Sequence, residues 1–205
     1  MLKQNESRTR LKYMMYVSLM AALVAVMGFV PPIPVPWFPA PIILQTLGVM
    51  LAGVLLGARL GALSIIVFLT LVAIGAVPLS GGNTGISVFA GHTGGYLLSW
   101  PLAAFIIGYI VERNWQSINA WKVALANVLG GMLLMYLMGS LFLNVVYQMP
   151  FLEMLIGNAI FIPGDTVKVI VATSVAMRMY KVKPLIQTPR PRHQQEDNIK
   201  WDEPA

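Results

Sequence analysis

Cysteine is absent from all 205 residues, which removes disulfides, thiolate metal sites and cysteine nucleophiles together. Histidine is nearly so, with His92 and His193 only, too few for a histidine-rich metal site. Charge is scarce as well. Charged residues make up 11% of the chain, against about 25% in a soluble domain. Hydrophobic residues make up 57%, the mean hydropathy is +0.72, and several apolar runs reach the roughly 20 residues a helix needs to cross hydrocarbon. An all-α membrane protein follows, at a length that suits one compact bundle with no second domain. There is no phosphate-cradling loop and no paired set of metal ligands, so no cofactor is expected, and uphill transport would need a partner or an ion gradient. A serine hydrolase built on His92 and Asp165 can be imagined, but no strained nucleophile turn supports it.

The net charge of +6 is distributed by position. Lys3, Arg8, Arg10 and Lys12 precede the first apolar run, and Arg178, Lys181, Lys183, Arg190, Arg192 and Lys200 end or follow the last. Arg59, Arg113 and Lys122 lie at alternate turns between. Because Lys and Arg accumulate in cytoplasmic loops, this pattern predicts six spans with both termini inside. The expected parts are a basic N-terminal segment, 1–12, a six-helix membrane domain, 13–180, and a polar cytoplasmic tail, 181–205.

The first span covers about Tyr13 to Val30 and reads as retained rather than as a cleaved signal core, because Pro31-Pro32 follows directly. Its Ala21 and Ala25 lie four apart on one face, a pattern that admits a close helix neighbour, inside the bundle or outside it. Six prolines then fall in the eleven residues from Pro31 to Pro41, forcing an extended, stiff segment. Its Trp37 and Phe38 suit an interfacial anchor or a lid. The second span, about Ile42 to Leu56, turns tightly through Gly57-Ala58-Arg59-Leu60-Gly61 into the third, which ends near Val77. The fourth runs from about Tyr96 to Val111, the fifth from about Trp121 to Val146, and the sixth follows Glu153 with a break at Pro163.

The apolar run from Leu155 to Met179 holds Ile162-Pro163-Gly164-Asp165-Thr166-Val167-Lys168. Ionised groups at membrane depth cost several kcal/mol and face the bundle interior, where they pair or bind something. The spacing of three places Asp165 and Lys168 on one helix face. They can neutralise each other as a structural ion pair. Pro163, however, suits the first turn of a helix, where Asp165 is favoured by the dipole and Lys168 is not, so Lys168 calls for a further acceptor.

On the same predicted outward side lies the polar, glycine-rich loop from Pro78 to Gly95. A connection of this length in a compact bundle is commonly functional. Gly91, Gly94 and Gly95 allow backbone amides to approach a ligand or a helix, and Asn83 and Thr93 can add side-chain hydrogen bonds. Turn-making is the plainer use of such glycines.

Gly85-Ile86-Ser87-Val88-Phe89-Ala90-Gly91-His92-Thr93-Gly94-Gly95-Tyr96-Leu97, followed by Pro101 to Tyr109, resembles the signature of the BioY family, the substrate-binding S components of energy-coupling factor (ECF) biotin transporters. Ile162 to Lys168 is similar to that family's sixth-helix motif, and the likeness covers about Tyr13 to Met179. His92 departs from it, standing where the family pattern has proline. The resemblance implies an ECF S-component fold in a bacterial-type inner membrane, and a biotin site near the outer face. It also implies partnership with a transmembrane coupling subunit and two ATPases, and a first-helix contact through Ala21 and Ala25. On that basis Asp165 accepts from a ureido N–H, Lys168 meets the ureido oxygen or the carboxylate, and Asn83, Gly91, Thr93, Gly94 and Gly95 supply further polar contacts. Trp37, Phe38 and Tyr96 pack on the rings and chain. An S component for another vitamin, or an intramembrane enzyme dependent on His92, would be the alternatives.

Overall fold

The structure, a computed structural model, describes residues 2–182, with side chains from 7 to 181. Most of the expected polar tail therefore lies outside the described residues. Helix α1, Leu2–Met27, begins eleven residues before the expected span and includes the basic N-terminal stretch. It is followed by α2, Gln45–Ala73, α3, Gly94–Arg113, α4, Ala120–Val128, and α5, Met135–Tyr147, and then by α6, Phe151–Gly157, and α7, Ile162–Val182. A π-helical segment, Leu129–Leu134, joins α4 to α5, and a 3-10 turn, Asn158–Phe161, joins α6 to α7. Among the described residues, five helical stretches are long and apolar enough to cross a membrane.

The expected second and third spans are one helical assignment, α2, interrupted at Gly57. Gly57 has φ 81° and ψ −174°, a conformation that side chains oppose and glycine accepts. A Cβ on Gly61 would lie 2.7 Å from the Ala52 carbonyl oxygen. Nine residues of straight helix would separate these positions by about 13.5 Å, so the chain folds back on itself at Gly57. Glu112 of α3 holds the turn, its Oε1 accepting from the Ala58 N–H at 2.9 Å. Such an acceptor satisfies one of the amides freed where a helix begins.

The α3 helix packs into this hairpin. Gly108 comes so close that a Cβ there would sit 2.2 Å from the Gly57 carbonyl carbon, which allows backbone-to-backbone approach as small residues do between membrane helices. Around it Val54, Ile65, Phe68, Ala103, Ala104, Ile107 and Val111 are all essentially inaccessible. The same end is closed by Tyr180 of α7, whose hydroxyl donates to the Val54 carbonyl and whose ring meets Trp115 edge-on at 4.8 Å.

The break expected at Pro163 lies just before it, in Asn158–Phe161. Pro163 itself occupies the first turn of α7 with Asp165, where its missing N–H costs no hydrogen bond. At the other end from Gly57, residues 28–44 and 74–93 have little regular structure beyond an Ile33–Ile42 bridge and the 3-10 turn Ile86–Phe89. These two segments frame the opening of a cavity.

Candidate functional site

A cavity of about 480 Å³ lies between the starts of α2, α3 and α7, the middle of the α4–α5 stretch and the two irregular segments. Its wall holds the ion pair. Asp165 is 6% exposed and Lys168 8%, and Lys168 Nζ lies 2.7 Å from Asp165 Oδ1. Each has a second partner. The Tyr136 hydroxyl donates to Asp165 Oδ2 at 2.6 Å, and Lys168 Nζ donates to Thr46 Oγ1 at 2.8 Å. The extra acceptor that Lys168 called for is thus Thr46, at the first turn of α2. An ammonium has three protons, so one donor direction on Lys168 is left for a ligand, and the carboxylate retains unused lone pairs.

The cavity mouth is pinned to the helices by buried polar groups. Gln45 is fully buried; its Oε1 accepts from the Ser80 N–H at 2.9 Å and its Nε2 donates to the Val24 carbonyl at 3.4 Å. One side chain therefore ties α1, α2 and the glycine loop together. On the other flank the Tyr96 hydroxyl donates to Asn158 Oδ1 at 2.8 Å, and Asn158 Nδ2 donates to Ser140 Oγ at 2.8 Å. Buried amides of this kind hold geometry because an unmade bond inside costs the full desolvation of the group. Tyr147, the last residue of α5, donates to the Ala90 carbonyl at 2.7 Å and stacks on His92 with ring centroids 4.0 Å apart.

Of the residues expected at the site, Asp165, Lys168, Asn83, Gly91, Thr93 and Tyr96 line this cavity, as does His92. Four do not. Gly95 gives α3 room against α5, since a Cβ there would meet the Phe142 side chain at 2.2 Å, and Gly94 gives it room against the 3-10 turn, where a Cβ would meet the Phe89 carbonyl oxygen at 2.0 Å. Trp37 is 75% exposed, which fits an interfacial anchor and leaves it off the cavity wall. Phe38 is buried behind that wall, edge-on to the cavity-lining Phe161 at 5.2 Å.

Ala21 is also corrected. It is 3% exposed and belongs to the core with Val24 and α2, while Ala25 is half-buried against the same core. Ser18 and Ala22 are small residues of α1 that face outward, amid exposed Met15, Leu19 and Val26.

Tyr136, Thr46 and Gln45 were not singled out from the sequence. Their signal was nonetheless present: each is a polar group on an apolar segment, and such groups face the interior. Trp100 also lines the cavity, stacked against Phe68 at 6.2 Å. Among the described residues no group of three or more His, Asp or Glu side chains could hold a metal.

The chain matches the BioY family over residues 3–185. It is 40% identical over 174 residues to a biotin transporter BioY of Rhizobium etli, covering 82% of this chain and 93% of that one. It is 36% identical to the Lactococcus lactis protein of the same name, over 84% of this chain and 92% of the relative. The fold matches the crystal structure of the S component for biotin from an ECF-type ABC transporter, with a TM-score of 0.80 at 36% identity, over 85% of this chain and 93% of that one. By sequence along nearly its whole described length, and by fold, this chain belongs to the BioY family.

Proposed function

We propose that this chain captures biotin from the outer face of a bacterial plasma membrane and acts as the substrate-specific subunit of an ATP-driven ECF transporter. The observation that carries the proposal is the buried Asp165–Lys168 pair, each partner already fixed by a second group, on the wall of the cavity. A ureido ring offers two N–H donors beside one carbonyl acceptor, which complements a carboxylate next to an ammonium. Asp165 accepts a ureido N–H and Lys168 donates its remaining proton to the ureido oxygen. The ligand's carboxylate is excluded from that position by charge, since it would meet the carboxylate of Asp165 at low dielectric. Tyr96, Trp100 and Phe161 supply apolar wall, and Asn83, Gly91 and Thr93 supply polar contacts nearer the opening.

The reversal at Gly57 supports six passes rather than five, because it returns the chain to the side on which α2 began. With Arg8, Arg10, Arg59, Arg113, Lys122 and Lys181 at one end of the helices, both termini are cytoplasmic and the cavity opens outward. As the kinship with ECF S components implies, a transmembrane coupling subunit and two ABC ATPases supply the energy, the sequence having no phosphate-cradling loop of its own. The exposed Ser18–Ala22 face of α1 suits close approach by a partner helix.

Calorimetric titration of biotin into the detergent-solubilised chain tests this reading. The wild type binds, and Asp165→Asn and Lys168→Met each weaken binding by about 2–5 kcal/mol, the cost of truncating one partner of a buried charged pair. The double variant, free of any unpaired buried charge, provides a folded control by thermal denaturation. A folded wild type with no biotin response would sink the assignment.

A further inference from the structure

We propose that His92 is the group that meets the ligand's carboxylate at the cavity mouth, and so decides between acid and amide forms of the ligand. The inference rests on the biotin reading above and extends it to this chain's departure from the proline of the family pattern. A bound acid brings one negative charge. Among the described residues that line the cavity, the charged groups are Asp165 and Lys168, which already neutralise one another. His92 is the remaining lining residue able to carry positive charge, and it is exposed.

Its position suits the far end of a ligand seated on Asp165. Tyr136, which touches Asp165, is the second residue of α5, and Tyr147, which stacks on His92, is the last. Eleven residues of helix separate them by about 16 Å, so the pair and the imidazole occupy opposite ends of one cavity. Tyr147 holds the ring in place on one face while its hydroxyl anchors Ala90, two residues before His92. His92 also precedes the first turn of α3, where the helix dipole adds to the attraction for an anion.

An imidazole carries positive charge only when it holds its second proton, whereas an alkyl carboxylate is ionised near neutral pH. The other titratable groups facing the cavity are Tyr96 from α3, Tyr136 from α5 and the Asp165–Lys168 pair from α7, with Tyr147 against the ring itself. The imidazolium attracts the carboxylate and the neutral ring does not. The acid is therefore favoured over its uncharged amide wherever the ring carries that proton.

The test titrates biotin and biotinamide into the full-length chain at pH 6 and pH 8, for wild type and His92→Gln, with His92→Lys as a third protein. In the wild type at pH 6 biotin is favoured over biotinamide, and the preference shrinks at pH 8. His92→Gln lowers the pH 6 preference by about fivefold, the size of one partly exposed charge pair, and removes its pH dependence. His92→Lys restores the preference at both pH values. If His92→Gln weakens both ligands by the same factor, the ring only supports the loop through Tyr147 and the proposal falls. Persistence of the preference and its pH dependence in His92→Gln also overturns it. A wild type that binds neither ligand overturns instead the biotin reading on which the proposal stands.

Discussion

At the end of the bundle around Gly57, glycines bring backbones into contact and leave no room; at the end around Asp165, the same helices diverge around a cavity. Gly57 and Gly108 let α2 and α3 meet with less than a side chain between them, Gly61 does the same for the two arms of α2, and Glu112 and Tyr180 satisfy the backbone groups left over. At the other end Tyr96, Trp100, Tyr136 and Phe161 line the gap between the helices, and polar groups bond to one another across it. The comparison teaches that one bundle can be sealed at one end and receptive at the other by where it places glycine and where it places aromatic rings. Rigidity at the closed end gives the open end fixed walls, and fixed walls lower the ordering cost of binding.

The comparison breaks most severely at its closed end. Gly108→Val drives a branched side chain into the Gly57 backbone, which has no rotamer by which to yield, and should destabilise the chain by about 3 kcal/mol or more. Heating the solubilised protein and following the monodisperse fraction by size exclusion would show it; an unchanged melting temperature would contradict the packing described. Next comes the loss of biotin affinity in Asp165→Asn and Lys168→Met, which leaves the closed end intact and empties the open end of its charge pattern. Tyr136→Phe sharpens the contrast with a smaller change. It removes one donor from Asp165 Oδ2 without altering shape, and should weaken biotin binding by about 1–2 kcal/mol while the melting temperature shifts less than in Gly108→Val. A Tyr136→Phe protein with full affinity would show that this hydroxyl does not position the carboxylate.

Much of this was legible in the sequence where the signal is local. An ionised pair three apart in an apolar run can be recognised without knowing the fold, as can a Gly-Ala-Arg-Leu-Gly turn and a proline at the start of a helix. Partners distant in sequence were not legible. Thr46 lies 122 residues from Lys168 and Tyr136 lies 29 from Asp165, and no spacing rule links them. Nor does a glycine reveal whether its open side meets a ligand or a neighbouring helix. Gly91 faces the cavity, Gly94 the 3-10 turn and Gly95 α5, a distinction set by the start of α3 at Gly94. Ala21 failed as an outward residue for the same reason, since its spacing of four from Ala25 identifies a helix face without saying which neighbour it meets.

The most direct test of the two-ended account uses the absence of native cysteine. Single-cysteine reporters at Thr84, beside the cavity opening, and at Arg59, beside the Gly57 turn, would be treated in intact cells with a membrane-impermeant maleimide, with and without biotin. The account predicts that Thr84→Cys is labelled from outside and protected by biotin, while Arg59→Cys is labelled only after the cells are opened. Labelling of Arg59→Cys in intact cells, or labelling of Thr84→Cys that biotin leaves unchanged, would contradict it.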